Sequence, residues 1–208
     1  MGVIDLWPVL EPVRQRRSLD DYIGQRVAVD LGVWICESQT AADFDYSYLR
    51  NLLFRLLGLL RRNILPIVVA DATRATQLKT QTVRDRLGAP STSADAQRTV
   101  TRTQFAAKIK QCRKLVEALG LPFIQSQYEA EATCAQLNAQ GLADAVITSD
   151  NDALLYGAKV VLRHFTLVGQ GTSKAGLERQ DSETSKGLTV DCYTMESVET
   201  KLALGWFV

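Results

Sequence analysis

The chain has 208 residues, of which 46% are hydrophobic, and this is enough for one α/β domain with a well-buried core. No apolar run reaches the roughly 18 residues of a membrane span, and basic residues follow the first apolar stretch instead of preceding it, so we expect neither a membrane segment nor a secretory signal. The formal net charge is only +1, and the single histidine, His164 in a strand-like run, excludes a histidine-rich zinc site and a Ser-His-Asp triad.

The predicted elements of the first half alternate between helix and strand. A short helix is expected over residues 3–10, ended by Pro8 or Pro12. The elements that follow are a strand over 25–31, a helix over 31–40, a strongly amphipathic helix over 48–62 and a strand over 65–71.

The second half repeats this alternation after residues 88–102, which form the most loop-like interior segment. The expected elements are a helix from about residue 103 that Gly120 ends, a strand at 123–124, a helix over 129–139, a strand over 145–148, a short helix to 156, a strand over 159–167 and a last helix over 195–204. Residues 168–189 are polar and predicted to be an unstructured insert. Strands that alternate with helices predict a single Rossmann-like α/β domain with a mostly parallel sheet.

The corresponding domain organisation has five parts. Residues 1–87 and 103–167 are the two halves of the core, joined by a variable loop at 88–102. The polar insert occupies 168–189, and a C-terminal helix and tail occupy 190–208.

Four cysteines provide a further expectation about environment: Cys36, Cys112, Cys134 and Cys192. They show no C-x-x-C spacing, and all except Cys192 lie in apolar patterns. We therefore expect buried free thiols in a reducing compartment.

Acidic residues mark the ends of the predicted strands. Two buried strands end in Asp30 and Asp71, and two acid pairs follow the next strands at i, i+2 spacing: Glu129 with Glu131, and Asp150 with Asp152. Residues at i and i+2 diverge on a regular helix, so the glutamates can converge only if Glu129 precedes the helix and is not yet helical. All six carboxylates can then meet at the carboxyl edge of a parallel sheet, where open α/β folds place ligands.

Such a cluster favours a hard cation. Like charges a few Å apart raise one another's pKa unless a cation lies between them, and all-oxygen ligands suit Mg²⁺ or Mn²⁺. Two such ions roughly 3.5–4 Å apart can clamp both oxygens of a phosphodiester in hydrolysis. Either pair alone is better explained as ordinary acids at a helix N-terminus, where the helix dipole favours them. The second pair, together with the two strand-end aspartates, favours a metal site.

Positive charge is concentrated between residues 72 and 114. This stretch holds ten basic residues against two acids, which predicts a polyanionic partner. The basic residues are Arg74, Lys79, Arg84, Arg86, Arg98, Arg102, Lys108, Lys110, Arg113 and Lys114. A solvated helix face explains residues 108–114 about as well.

Four stretches also carry a family resemblance: Met1-Gly-Val-x-x-Leu-Trp7, Val27-Ala-Val-Asp-Leu31, Glu129-Ala-Glu-Ala132 and Ser149-Asp-x-Asp-x-Leu-x-Tyr-Gly-Ala158. They resemble the XPG/flap-endonuclease superfamily of structure-specific 5′ nucleases. Within it, the stretches at 5–13, 34–40, 49–55 and 191–195 resemble the GEN-type Holliday junction resolvases. The resemblance covers most of residues 1–167, weakens over 88–102 and returns at 190–202.

The resemblance implies a PIN-like nuclease core that hydrolyses DNA near a branch point with two Mg²⁺ ions. The metal ligands would be Asp30, Asp71, Glu129, Glu131, Asp150 and Asp152. Lys79 and Arg86 match the catalytic basic pair that contacts the scissile phosphate, and Gly2 matches a residue that approaches the junction. Gly2, Arg74, Lys79, Arg84, Arg86, Lys108 and Lys110 would then contact DNA. The resemblance also implies a nuclear location, with branched DNA as partner, and leaves open whether two chains pair on a four-way junction.

The chain departs from the family pattern in two places. The family usually has prolines after the acid of the second strand, and these are absent between Asp71 and Lys79. One more residue separates Asp71 from Lys79 than separates the acid from the lysine in the usual family pattern. The printed sequence also stops before the segment that carries a seventh metal acid and before the helix-two-turn-helix module. We therefore expect a truncated form of the core.

Three alternatives remain at this point. One is a DNA-binding or regulatory protein that keeps the nuclease fold but cuts weakly or not at all. A HAD-type phosphatase is disfavoured because the first strand lacks Asp-x-Asp and the chain has no glycine-rich phosphate loop. A PIN-type ribonuclease has a similar acid cluster, and only the resemblance of residues 1–36 argues against it.

Overall fold

The computed structural model describes residue 3 and the ranges 5–39, 46–72, 92–165 and 189–202, with the backbone alone over 92–102. Its strands are β1 (Gln15–Ser18), β2 (Arg26–Asp30), β3 (Leu65–Ala70), β4 (Phe123–Gln125), β5 (Ala145–Ile147), β6 (Val160–Arg163) and β7 (Thr189–Thr194). Its helices are α1 (Leu6–Leu10), α2 (Leu31–Gln39), α3 (Ser47–Leu60), α4 (Thr92–Ala118), α5 (Ala130–Ala139), α6 (Asp152–Leu155) and α7 (Met195–Leu202), with 3₁₀ turns at Glu11–Val13 and Leu19–Tyr22.

The strands form one sheet in the order β1-β7-β6-β5-β2-β3-β4. Strands β6, β5, β2, β3 and β4 run parallel, whereas β7 is antiparallel to both β6 and β1. The predicted single α/β domain with a mostly parallel sheet is therefore confirmed.

Helices cover both faces of the sheet, and this explains why the central strands are continuously apolar. In β2, Val27 and Val29 pack with Trp34 and Leu56 on one face, and Ala28 packs with the other cluster. The first layer contains α2, α3 and α4, and the second contains α5, α6 and the hydrophobic residues of α1 and α7.

The strand order fixes where a ligand site can form. The chain runs outward from β2 through β3 to β4, and then returns to place β5 on the other side of β2. The carboxyl ends of β2 and β5 therefore border the point where the strand order reverses, which is the usual ligand crevice of open α/β sheets.

The predicted helix start near residue 103 is wrong, because α4 already begins at Thr92. The predicted variable loop at 88–102 is therefore helical from this residue onwards. Thr92, Ser93 and Asp95 suit a helix N-terminus, and the following alanines favour helix without any apolar period. The inward residues predicted further along are confirmed: Cys112 and Val116 are buried, and Phe105 and Ile109 pack against the core. Gly120 adopts a positive φ of 69° just after the helix, as expected for a stop.

The two antiparallel strands were not predicted. Strand β1 is polar and half exposed, so it lacks the apolar alternation that identifies a strand. Strand β7 begins at Thr189, which the sequence placed in the polar insert.

The strand predicted over 159–167 ends at Arg163, and His164 is therefore not part of a strand. His164 has a left-handed φ of 54°, and its Nδ1 lies 2.7 Å from Asp191 Oδ2. The β6–β7 register pairs Arg163 with Asp191, and this places the next residue, His164, within reach of the Asp191 side chain.

Two smaller expectations need correction. Pro8 does not end α1 but lies inside its first turn, where a missing N–H removes no helical hydrogen bond, and α1 ends at Leu10, before Pro12. Cys36 is exposed, although its apolar pattern predicted burial. Cys112 and Cys134 are buried as expected, and Cys192 is buried although it lies outside an apolar pattern. All four thiols are free.

No helix in the ranges described above combines the length and apolar character needed to cross a membrane. The predicted insert at 168–189 lies outside those ranges except for Thr189. The predicted end of the last helix, at residues 203–204, also lies outside them.

Candidate metal centre

The six acids predicted from the strand ends lie at the carboxyl ends of four neighbouring strands. Asp30 is the last residue of β2, and Asp71 directly follows β3. Glu129 and Glu131 follow β4 at the start of α5, and Asp150 and Asp152 follow β5 at the start of α6.

The glutamate pair has the local geometry that the spacing required. Glu129 is the N-cap of α5 with extended dihedrals, φ −105° and ψ 142°, so it is not yet helical. Ser126 supports this corner, because its hydroxyl donates to the Glu129 carbonyl at 3.0 Å and accepts from the Tyr128 N–H at 3.1 Å. Glu131 then lies in the first helical turn and is buried.

The tightest group of carboxylates comprises Glu131, Asp150 and Asp152. One carboxylate oxygen from each lies within 4.8 Å of the others. Glu131 comes from α5, and Asp150 and Asp152 come from the corner between β5 and α6. The three side chains therefore offer one oxygen ligand each to a single position.

Asp30 and Asp71 approach each other across Gly32. An added Cβ at Gly32 would lie 3.3 Å from Asp30 Oδ1 and 3.7 Å from Asp71 Oδ2, so a glycine leaves this space open. Asp71 Oδ1 also accepts the Ala130 N–H at 2.9 Å, which ties the β3 acid to the residue between the two glutamates.

Thr148 connects the acids of β2 with those of β5. Its hydroxyl donates to Asp30 Oδ2 and accepts from the Asp150 N–H, both at 3.1 Å. The Asp152 N–H in turn donates to Asp150 Oδ1 at 3.1 Å. Backbone and hydroxyl donors therefore help to orient Asp30, Asp150 and Asp152.

Burial and mutual repulsion make ionisation of the cluster costly. Burial, followed by the charge of Asp71, raises the pKa of Asp30 to about 6. Burial, with further contributions from Asp30 and Glu129, raises the pKa of Glu131 to about 8. The pKa of Asp152 is also raised, by desolvation first and then by the neighbouring Asp150.

The donor set fits a hard divalent cation. It consists of carboxylate oxygens alone, which Mg²⁺ and Mn²⁺ prefer over the nitrogen and sulfur ligands that suit zinc. A cation among these oxygens would offset the repulsion that raises the pKa of Asp30 and Glu131.

Comparison with protein families identifies the relationship. The XPG N-terminal domain model matches residues 1–92, and the XPG I-region model matches residues 120–206. The chain belongs to the XPG/flap-endonuclease superfamily. Four of the six acids, Glu129, Glu131, Asp150 and Asp152, lie in the I-region match, and Asp30 and Asp71 lie in the N-terminal match.

Members of the XPG superfamily with GEN names are similar to this chain over nearly its whole length. Flap endonuclease GEN homolog 1 of Mus musculus is 38% identical over 211 residues, which cover 98% of this chain and 21% of that protein. The chain thus spans about a fifth of the length of this curated relative.

Solved structures show the same fold. Human GEN1 in complex with Holliday junction DNA matches with a TM-score of 0.75 and 34% identity, covering 97% of this chain and 46% of that one. A Holliday junction-resolving GEN1 enzyme in complex with product DNA and Mg²⁺ matches with a TM-score of 0.62, covering 96% of this chain and 42% of that one. At 22% identity, this second likeness concerns the fold alone.

The basic residues predicted for XPG-type DNA contacts are only partly described. Gly2, Arg74, Lys79, Arg84 and Arg86 lie outside the described residues. Lys110 is exposed on α4, and the half-buried Lys108 places its ammonium 5.3 Å from the Tyr48 ring centroid. The roles assigned to all seven remain predictions.

Sequence reasoning missed the residues that orient the acids. Thr148 bridges two of them, and the Tyr156 hydroxyl donates to Glu129 Oε2 at 3.4 Å. Asn151 lies buried between Asp150 and Asp152. One signal was available for Thr148, a polar residue that ends an otherwise apolar strand.

Proposed function

We propose that this chain is the core of a Mg²⁺-dependent, structure-specific endonuclease that hydrolyses phosphodiesters of branched DNA, namely 5′ flaps and Holliday junctions. The observation that carries the proposal is the convergence of Glu131, Asp150 and Asp152 within 4.8 Å at the carboxyl edge of the sheet. Asp30 is linked to Asp150 through the Thr148 hydroxyl. Asp71 accepts the Ala130 N–H next to Glu131, and Glu129 accepts the Tyr156 hydroxyl just after α6.

In this proposal the six acids together bind two cations, and different acids contribute to different parts of the site. Glu131, Asp150 and Asp152 provide the oxygens that converge most closely, and the strand-end acids Asp30 and Asp71 extend the site toward α2. When bound, Mg²⁺ or Mn²⁺ supplies Lewis-acid activation of a phosphodiester and makes water a better nucleophile. Thr148 and the Ala130 N–H hold Asp30 and Asp71 in place so that little reorganisation accompanies binding.

The proposal assigns the DNA-facing roles to basic residues. Lys79 and Arg86 would stabilise the charge that develops on the scissile phosphate. Gly2, Arg74, Arg84, Lys108 and Lys110 would contact the DNA backbone, in keeping with the local excess of positive charge. A nuclear location, as the superfamily relationship suggests, is part of the same proposal, whereas pairing of two chains on a four-way junction stays an open prediction.

The direct test is incision of labelled DNA by the purified 208-residue chain. The substrates are a 5′ flap, a four-way junction and an unbranched duplex of the same sequence, each with Mg²⁺ and with EDTA. Asp150→Ala removes one carboxylate of the cluster, and Glu117→Gln removes the charge of an exposed acid on α4 that pairs with Arg113.

The proposal predicts Mg²⁺-dependent incision of the branched substrates that Asp150→Ala reduces to background and Glu117→Gln leaves unchanged. Full activity of Asp150→Ala would show that the metal-site assignment is wrong. A folded chain that binds branched DNA without cutting it would replace the enzyme by the DNA-binding or regulatory alternative.

A further inference from the structure

Asn151 joins the acid cluster to the segment at residues 3–10. Its side chain is buried between two of the proposed metal ligands, Asp150 and Asp152. The Val3 N–H donates to Asn151 Oδ1, and Asn151 Nδ2 donates to the Val3 carbonyl, each at 2.8 Å. Only a carboxamide offers a donor and an acceptor side by side, so this pairing uses both halves of the asparagine side chain.

The hydrogen bonds, not apolar packing, hold Val3 at this position. Val3 is 47% exposed, so it is not anchored by full hydrophobic burial. The Val3 carbonyl also accepts the Leu6 N–H at 3.3 Å at the start of α1. The Asn151 amide therefore stabilises the beginning of this helix from outside it.

Trp7 makes a second connection on the other side of Asp150. Its indole N–H donates to the Ser149 carbonyl at 3.1 Å. The ring is held in turn by the Arg163 guanidinium, 3.6 Å from its centroid, and by the Tyr193 ring at 4.9 Å. Residues 3 and 7 thus bond to residues 151 and 149, which flank Asp150 on both sides.

These connections restrain the corner that presents two carboxylates. The Asp150 N–H is held from the strand by Thr148, and the Asp152 N–H bonds to Asp150 Oδ1. The Asn151 and Trp7 bonds fix the same corner from the opposite direction. A shift of the segment at 3–10 would therefore move the backbone that spaces Asp150 from Asp152.

We propose that Asn151 is a positioning residue that couples the segment at residues 3–10 to the spacing of the Asp150 and Asp152 carboxylates. It acts through backbone contacts and takes no part in ligand binding itself. The effect on cation binding rests on the proposed function, whereas the connection to α1 does not.

Asn138 provides a matched control. It is buried like Asn151, and its amide also bonds to backbone, donating to the Ala143 carbonyl at 3.0 Å and accepting the Lys159 and Val160 N–H groups at 2.6 and 3.0 Å. Ala143 and Lys159 precede β5 and β6, and Val160 begins β6, at the edge of the sheet opposite the acids. Loss of this amide therefore tests general destabilisation without touching the cluster.

The experiment compares the wild-type chain with Asn151→Ala, Asn138→Ala and Asp150→Asn by two measurements. Hydrogen exchange of the α1 amides, followed by mass spectrometry without metal, reports the connection to residues 3–10. Binding of Mn²⁺, followed by electron paramagnetic resonance of the free ion, reports the spacing of the carboxylates. Asn151→Asp retains the acceptor for the Val3 N–H and loses the donor, so it serves if the alanine variant fails to fold.

We expect Asn151→Ala to speed α1 exchange about tenfold through the loss of two partly buried hydrogen bonds and to weaken Mn²⁺ binding by a similar factor. Asn151→Asp should show an intermediate exchange rate, and Asn138→Ala should change neither quantity. Wild-type α1 exchange or wild-type Mn²⁺ affinity in Asn151→Ala would overturn the proposal. If wild type does not bind Mn²⁺, or if Asp150→Asn binds it as well as wild type does, the proposed function is refuted instead. The α1 exchange rate alone would then show whether Asn151 stabilises the segment at residues 3–10.

Discussion

At the scale of single residues, Asp30 and Glu131 occupy positions that stability alone does not favour. Both side chains are buried, and burial together with neighbouring carboxylates raises the pKa of each. Ionisation of either group in the metal-free chain therefore destabilises the fold. Buried carboxylates with raised pKa values are typical of functional sites. Bound cations would offset the repulsion between these carboxylates.

Glu131→Gln should stabilise the metal-free chain at pH 8 and flatten its dependence on pH. The folded pKa of Glu131 is about 8, above its ordinary value of 4.5, so between these values the folded chain holds the proton more strongly than the unfolded chain. The stability of wild type should fall as pH rises through this window. The neutral glutamine avoids this loss, which is roughly 1.4 kcal/mol for each pH unit between the two pKa values, and should raise the free energy of unfolding at pH 8 by about 4 kcal/mol. Urea denaturation in EDTA from pH 5.5 to pH 8.5 measures both effects.

The matched substitution is Glu117→Gln, at a half-exposed acid paired with Arg113. It should change the free energy of unfolding by less than about 1 kcal/mol at every pH. A wild-type chain whose stability rises with pH relative to Glu131→Gln would contradict the assigned shift.

At the scale of elements, the start of α5 is organised by one buried hydroxyl. Ser126 bonds to the Glu129 carbonyl, the Tyr128 N–H and the Thr133 hydroxyl, the last at 2.8 Å. These bonds hold Glu129 in its extended conformation before the helix begins. The corner, more than the helix itself, therefore determines where the first glutamate lies.

Ser126→Ala should lower the free energy of unfolding by about 1–3 kcal/mol, because it leaves buried polar groups without their partner. It should also weaken Mg²⁺ binding, since Glu129 loses its support. Denaturation with and without Mg²⁺ measures the two effects separately. Ser38→Ala is the comparison, because the buried Ser38 hydroxyl bonds to the Trp34 carbonyl within α2. An equal loss of Mg²⁺ affinity in both variants would count against a specific role for the α5 corner.

The elements differ in how far the sequence could predict them. The interiors of strands β2, β3 and β5 are continuous apolar runs. Hydrophobicity alone therefore predicts where these strands end and which acids lie at their ends. Strand β1 has the polar sequence Gln-Arg-Arg-Ser, and its pairing with β7 depends on contacts between residues 15 and 192, far apart in the chain. Local propensity contains no information about such pairing.

The same limit applies to the candidate site. The spacing of Glu129 and Glu131 required a non-helical first residue, and the extended φ of Glu129 confirms it. By contrast, Thr148 and Asn151 act through partners more than 100 positions away, Asp30 and Val3. Only the folded topology brings these partners together, so the sequence could mark Thr148 as a polar residue after an apolar run but could not identify either partner.

At the scale of the whole molecule, the proposed function would bring a polyanion to a sheet edge that carries acids, so affinity would have to come from positive charge elsewhere. The excess of basic residues between 72 and 114 supplies it, and Lys110 is exposed on α4. Affinity for branched DNA should therefore fall steeply with salt.

Each of Lys108→Ala and Lys110→Ala should reduce the slope of log affinity against log salt by about 0.9 if the lysine contacts one phosphate. Fluorescence anisotropy of a labelled four-way junction at several salt concentrations, in Ca²⁺ instead of Mg²⁺, measures the slope. Arg61→Ala, outside the basic stretch, should leave it unchanged. A flat salt response of the wild-type chain would remove the proposed role of this stretch.

The central claim is that acids from four strand ends form one divalent-cation centre. Calorimetric titration of Mg²⁺ into the metal-free chain, alongside Asp150→Asn and Glu131→Gln, tests it most directly. The account predicts binding that approaches two ions per chain in wild type and a marked loss of affinity in both variants. Binding that is absent from wild type, or equally strong in the two variants, would contradict it.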